Sequence, residues 1–198
     1  MTLSKELESI IRKESKDKKV HIKDFTDHFG DRSLIFIIAI LSLPIALPFT
    51  PPGINTPFAV VCLILIVNWM RNKPDFAFPK WIASKKIPFS PDGKFFEAMT
   101  KLLGWLEKII KPRNETLINN KFSRFILGLG LLSSTTVMLI PLPVINSVSS
   151  LLVLLTSYSI ISKDGKMAMI SAVGGILLLL ASVSIIAYGF YFGIRVFK

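Results

Sequence analysis

Residues 33–70 read SLIFIIAILSLPIALPFTPPGINTPFAVVCLILIVNWM, 38 positions without one Asp, Glu, Lys, Arg or His. Residues 125–162 read FILGLGLLSSTTVMLIPLPVINSVSSLLVLLTSYSIIS, again 38 and again without charge, and residues 167–194 add 28 more. Apolar, charge-free runs beyond about 18 residues read as segments that cross a bilayer. The chain has 198 residues, one domain by length, and only 19% of them are charged, against about 25% in ordinary soluble domains. The sequence therefore predicts an all-α integral membrane protein, and a soluble enzyme is excluded by the same blocks.

The first two blocks look like one motif used twice. Pro52-Gly53-Ile54-Asn55-Thr56 lines up with Pro143-Val144-Ile145-Asn146-Ser147, with prolines before the Asn and a hydroxyl residue after it. Setting aside the Pro/Asn middle leaves arms of roughly 15 residues, each about 22 Å long. The hydrocarbon core is about 30 Å thick. Pro44, Pro48, Pro51, Pro52 and Pro57 interrupt helix, because proline lacks the N–H and clashes with the preceding turn. Each block is thus a Pro-broken helical hairpin, either re-entrant with its tip in the bilayer or a pair of short tilted spans.

Charge orients the blocks. The net charge is +11, and residues 71–124 hold twelve Lys/Arg against five Asp/Glu. Basic loops stay in the cytoplasm, so this linker is expected there and each hairpin leaves and returns on that side. No zinc-finger spacing or base-reading basic helix points to nucleic acid. Within the linker, residues 94–111 form an amphipathic helix: Phe95, Phe96, Met99, Leu102, Leu103, Leu106, Ile109 and Ile110 share a face, and Trp105 sits at its margin. Such a helix lies in the headgroup plane or packs on neighbouring helices. Residues 167–194 are long enough for one tilted crossing. Gly174, Gly175, Ala181, Ser182 and Ser184 suit close helix packing, and Tyr188, Tyr191 and Phe192 form an interfacial belt. Residues 1–32, with eight Lys/Arg against seven Asp/Glu, do not resemble a secretory signal and are expected to be a helical cytoplasmic segment.

Gly30-Asp31-Arg32 runs straight into the first block with its Leu43-Pro44, Pro48 and Pro51-Pro52-Gly53-Ile54. A basic amphipathic linker, a second hairpin with Ile140-Pro141 and Asn146, and a Lys163-Asp164-Gly165 turn before a long apolar helix follow. This order resembles the ExoD family of bacterial membrane proteins over about residues 20–195. The resemblance implies the bacterial inner membrane, a part in exopolysaccharide synthesis and a link to tolerance of alkaline conditions. It supplies a process and no reaction.

No catalytic constellation, metal site or cofactor motif is expected. His21 and His28 are the only histidines, and Cys62, the lone cysteine, reads as a small buried hydrophobe. No carboxylate lies inside the apolar blocks, where ion carriers usually place one. The candidate binding residues are Asp31 and Arg32 at the membrane edge, and Pro51, Pro52, Asn55, Pro141, Pro143 and Asn146 at the two tips. Buried Asn serves either as glue between helices or as part of a central site for an ion or a polar headgroup. Two functions follow: a small transporter or translocator of an ion or lipid carrier, or an accessory protein of a polysaccharide assembly complex that moves nothing. Expected partners are the bilayer, polysaccharide assembly proteins and a second copy of the chain.

The placement of residues 71–124 is open to direct test. With Cys62 replaced, a single cysteine at position 85 or 111 is expected to resist an impermeant thiol reagent in intact cells and to react after permeabilisation. Rapid labelling from outside would reverse the orientation.

Overall fold

The computed structural model describes residues 33–47, 55–71, 94–140 and 143–196. The expectations for the N-terminal segment, the Pro51-Pro52 tip and the first part of the linker lie outside these residues. Among the described residues every regular element is a helix: α1 Ser33–Ser42, α2 Asn55–Met70, α3 Lys94–Ile109, α4 Thr116–Asn119, α5 Lys121–Met138, α6 Pro143–Ile161 and α7 Gly165–Val196. Two of them, α6 over Val144–Ile161 and α7 over Gly165–Phe192, are long and apolar enough to cross a membrane, and α2 is a shorter apolar helix. The first hairpin is less even than two equal arms: α1 has 10 residues and α2 has 16. Pro44 falls just beyond α1, where its missing donor cannot break the helix ladder.

Four helices close a ring: α1 packs on α2, α2 on α5, α5 on α6, and α6 back on α1, while α7 lies outside against α5 and α6. Two contacts give the directions. Arg124, in the first turn of α5, donates through Nη2 to the carbonyl of Trp69 in the last turn of α2 at 2.9 Å. Ser150, early in α6, donates its hydroxyl to the carbonyl of Ser42, where α1 ends, at 2.6 Å. Each of these pairs is therefore antiparallel. A connection of only four residues, 139–142, joins the end of α5 to the start of α6. The starts of α2 and α6 consequently lie at one end of the ring, and Arg71, Lys121, Arg124, Lys163 and Lys166 lie at the other.

Helix α1 is apolar on every side and is buried on every side: Leu34 through Ile40 are all at most 7% exposed. Part of that enclosure comes from α3. Leu103, Leu106 and Ile110 form one cluster with Phe36, Ala39, Ile40 and Leu43 of the α1 segment and Leu154, Leu155 and Tyr158 of α6. Of the two seats the sequence offers this amphipathic helix, the one packed on neighbours is occupied; among its described side chains, Trp105 and Ile109 are the exposed large apolar ones, at 48% and 37%. Its outer face carries the Lys101–Glu97 pair at 2.7 Å. The hydrogen bond from Lys101, with its charge, holds the Glu97 carboxyl below the usual carboxylate range.

The seam between α5 and α7 depends on small residues. A Cβ at Gly130 would run into the backbone of Ala172, and one at Gly175 into the Gly130 carbonyl and the Ser134 hydroxyl. Close backbone approach of this kind is how helices associate where lipid removes the hydrophobic drive. A Cβ at Gly174 would meet only the Leu152 side chain, at 3.4 Å. Gly175→Ala is expected to cost about 1–3 kcal/mol through overpacking and to lower the thermal midpoint. Gly174→Ala should be neutral, or stabilising by up to about 1 kcal/mol from helix propensity. Thermal unfolding in detergent measures both.

Candidate functional site

The two ends of the ring differ in chemistry. At the basic end, Arg124 sits over the Trp69 ring with its guanidinium carbon 4.8 Å from the centroid. Its bond to the Trp69 carbonyl places a cation on the C-terminal end of α2, where the helix dipole favours one. Asp164 is 2% exposed. One carboxylate oxygen accepts the Lys111 N–H and the other the Met167 N–H, both at 3.0 Å. The second bond is an N-cap of α7; the first ties the end of α3 to the α6–α7 turn. The backbone adds two more bonds, Arg113 N–H to the Lys163 carbonyl at 3.2 Å and Gly165 N–H to the Arg113 carbonyl at 2.8 Å. Lys163 adopts φ 60° to make the turn, and its ammonium pairs with Glu115 at 2.5 Å. In the sequence Asp164 is only an edge carboxylate. The Asp-Gly step ahead of an apolar run was the available signal that it caps a helix.

The other end carries the asparagines. Asn55 opens α2 and Asn146 stands in the first turn of α6. They are 5% and 3% exposed, and the Oδ1 of each is buried with no hydrogen-bond partner. Each oxygen is an acceptor and needs an N–H or O–H. Many side-chain donors of the bundle are turned elsewhere: Thr135, Thr136, Ser149 and Thr156 each donate to the carbonyl four residues back in their own helix, at 2.7–2.8 Å, and Asn68 does the same to Ile64 at 2.8 Å. An unmet buried polar group costs about 1–3 kcal/mol.

Of the residues singled out from the sequence, Asn55 and Asn146 are thus brought to the same end of the ring. Pro143 is the first residue of α6, a position where its missing N–H removes no helical bond. Asp31, Arg32, Pro51, Pro52 and Pro141 lie outside the described residues. Cys62 is buried in α2 as a free thiol, and no group of three or more His, Cys, Asp or Glu capable of holding a metal occurs among the described residues. The arrangement offers hydrogen bonding at one end and cations at the other.

The family profile described as "Exopolysaccharide synthesis, ExoD" matches residues 3–187. The chain is 27% identical over 163 residues to an uncharacterized protein of Synechocystis sp., covering 82% of this chain and 77% of that one. It is 23% identical over 151 residues to Protein ExoD of Rhizobium meliloti, covering 75% of this chain and 62% of the Rhizobium protein. No solved structure matches.

The Asp164 joint yields a graded expectation. Asp164→Ala strands two amide N–H groups and should cost about 1.5–3 kcal/mol, the range for hydrogen bonds to a charged group. Asp164→Asn keeps one acceptor oxygen and should cost less. Unfolding midpoints, with protease cleavage within α3 as a second readout, measure the series; equal midpoints for all three proteins would remove the joint's role.

Proposed function

We propose, because the chain belongs to the ExoD family of exopolysaccharide-synthesis proteins, that it serves that process as a multi-pass protein of the bacterial inner membrane. In this reading it moves an ion or a lipid-linked carrier past the polar pair Asn55 and Asn146. The observation that carries the reading is the pair itself, two buried amide oxygens without partners at the same end of the ring.

The lengths of the helices support a re-entrant depth for that pair. Helices α5 and α6, with 18 and 19 residues, rise about 27 and 28 Å, while α7, with 32, rises about 48 Å. Ser182 of α7 is buried, but Val183, Ile185, Ile186, Tyr188, Phe190, Tyr191 and Phe192 are all at least 50% exposed. The ring therefore stops near Ser182 while α7 continues. Aromatic residues such as Tyr188, Tyr191 and Phe192 seat at the headgroup level. From Ser182 to Phe190 the helix rises about 12 Å. With the belt in the headgroups, the starts of α2 and α6 stand about that far inside the hydrocarbon, where an irregular connection survives only if protein or a wet cavity covers it.

The ring also supports duplication. Exchanging α1 with α5 and α2 with α6 leaves the pattern of neighbours unchanged. The repeat axis then runs along the helices, and both hairpins enter from the basic side, as the charge distribution requires.

Asn55→Ala with Asn146→Ala tests the role. If the amides only join helices, each loss costs about 0.6 kcal/mol and polysaccharide output follows protein level. If they line a working site, output at equal membrane protein level is lost, and growth at high pH is a second readout. Wild-type output from the double variant at equal level would end the transport reading in favour of an accessory role.

A further inference from the structure

We propose that the ligand at the Asn55–Asn146 end is a neutral, hydroxyl-bearing group, a sugar or similar polyol, and neither a metal cation nor a phosphate. This rests on the reading of the pair as a working site and names what the site takes. Both unpartnered atoms are acceptors, so each calls for a donor. The pair stands at the starts of α2 and α6, whose first turns present N–H groups with no intrahelical acceptor. A hydroxyl answers both needs at once, donating to an amide oxygen and accepting from a first-turn N–H.

The electrostatics disfavour ions. The N-terminal end of a helix carries about half a positive charge, and two such ends here oppose a cation. Residues 33–70 and 125–162 contain no acidic side chain to balance a cation and no basic one to balance a phosphate; the helix ends offer a phosphate only partial positive charge, and the unmet amide oxygens, acceptors themselves, repel it. At membrane depth an uncompensated ion is expensive. The basic residues that would suit a phosphate are gathered at the opposite end of the ring. The orientation of the amides does not alter this: turning one over exchanges an unmet acceptor for an unmet donor, and a hydroxyl satisfies either, whereas an ion satisfies one. Both oxygens are closed off in this structure, so the ligand enters as this end of the ring parts.

The test uses the full chain in phosphatidylcholine nanodiscs, with the thermal midpoint as readout. One arm titrates methyl α-D-glucoside in the buffer; the other incorporates monoglucosyl diacylglycerol in the disc. A saturable rise in midpoint is expected in at least one arm, and which arm responds tells a free sugar from a lipid-borne one. Asn55→Leu with Asn146→Leu, near-isosteric and without the unmet oxygens, should fold with an unliganded midpoint at or above wild type and lose the response. Single Leu variants should weaken apparent binding about tenfold. Sodium chloride, potassium chloride and sodium phosphate should act alike on wild type and variants. Asn-dependent stabilisation by any of these salts, no response to either glucoside, or an unchanged response in the Leu pair would overturn the proposal. Loss of polysaccharide in the Ala pair without any glucoside response keeps the working site and rejects its hydroxyl ligand. Normal polysaccharide with an Asn-dependent glucoside response keeps the ligand and rejects the transport role.

Discussion

The enclosure of α1 is the constraint on which the other contacts depend. Seven consecutive residues, Leu34 to Ile40, are buried, which a helix achieves only with neighbours around its whole circumference. Helix α2 covers one side and α6 another, and Leu103, Leu106 and Ile110 of the α3 segment add a third wall. That wall holds its place because Asp164 grips the Lys111 amide at the end of α3 while capping α7 with its other oxygen. A single carboxylate at the basic end thus couples the amphipathic linker, the second hairpin and the long C-terminal helix to the centre of the ring.

Most described hydroxyls inside the ring are paired, while the side-chain oxygens of Asn55, Asn146, Ser157 and Ser159 are buried without a partner. Hydroxyls along α5, α6 and α7 return their protons to carbonyls of their own helix, as Thr135, Ser149 and Ser182 do. Ser150 reaches across to the Ser42 carbonyl instead, and the Thr156 and Ser171 hydroxyls meet at 2.8 Å. These cross-links pin α6 between α1 and α7. The amide oxygens of Asn55 and Asn146 are acceptors, which no carbonyl can satisfy, and no donor reaches either of them.

Much of this was legible from the chain. The charge-free blocks of 38, 38 and 28 residues marked the apolar helices, since in so apolar a stretch only helix satisfies the backbone locally. The amphipathic pattern after Lys94 gave helix α3 nearly to its ends, because helical periodicity is a local property. Gly175 read as a packing residue because the absence of a side chain is visible in sequence. The likeness of the two Pro/Asn segments pointed to Asn55 and Asn146 as a pair. Less legible was the inequality of α1 and α2, because proline marks where helix is interrupted and not how far the irregular connection extends.

The sequence by itself determined the helical class, the segregation of charge and the identity of the two asparagines, because each depends on residues close together in the chain. The tertiary structure decided what depends on contacts between distant residues. Arg124 on Trp69 and Ser150 on Ser42 set the helix directions and so brought both asparagines to one end of the ring. The burial of Leu103 and Leu106 against Phe36 decided that α3 packs on the bundle, since an amphipathic face specifies that it must be covered but not by what. The partnerless state of Asn55 and Asn146 was likewise decided in three dimensions, because whether a buried amide is satisfied depends on every group around it and not on its own position in the chain.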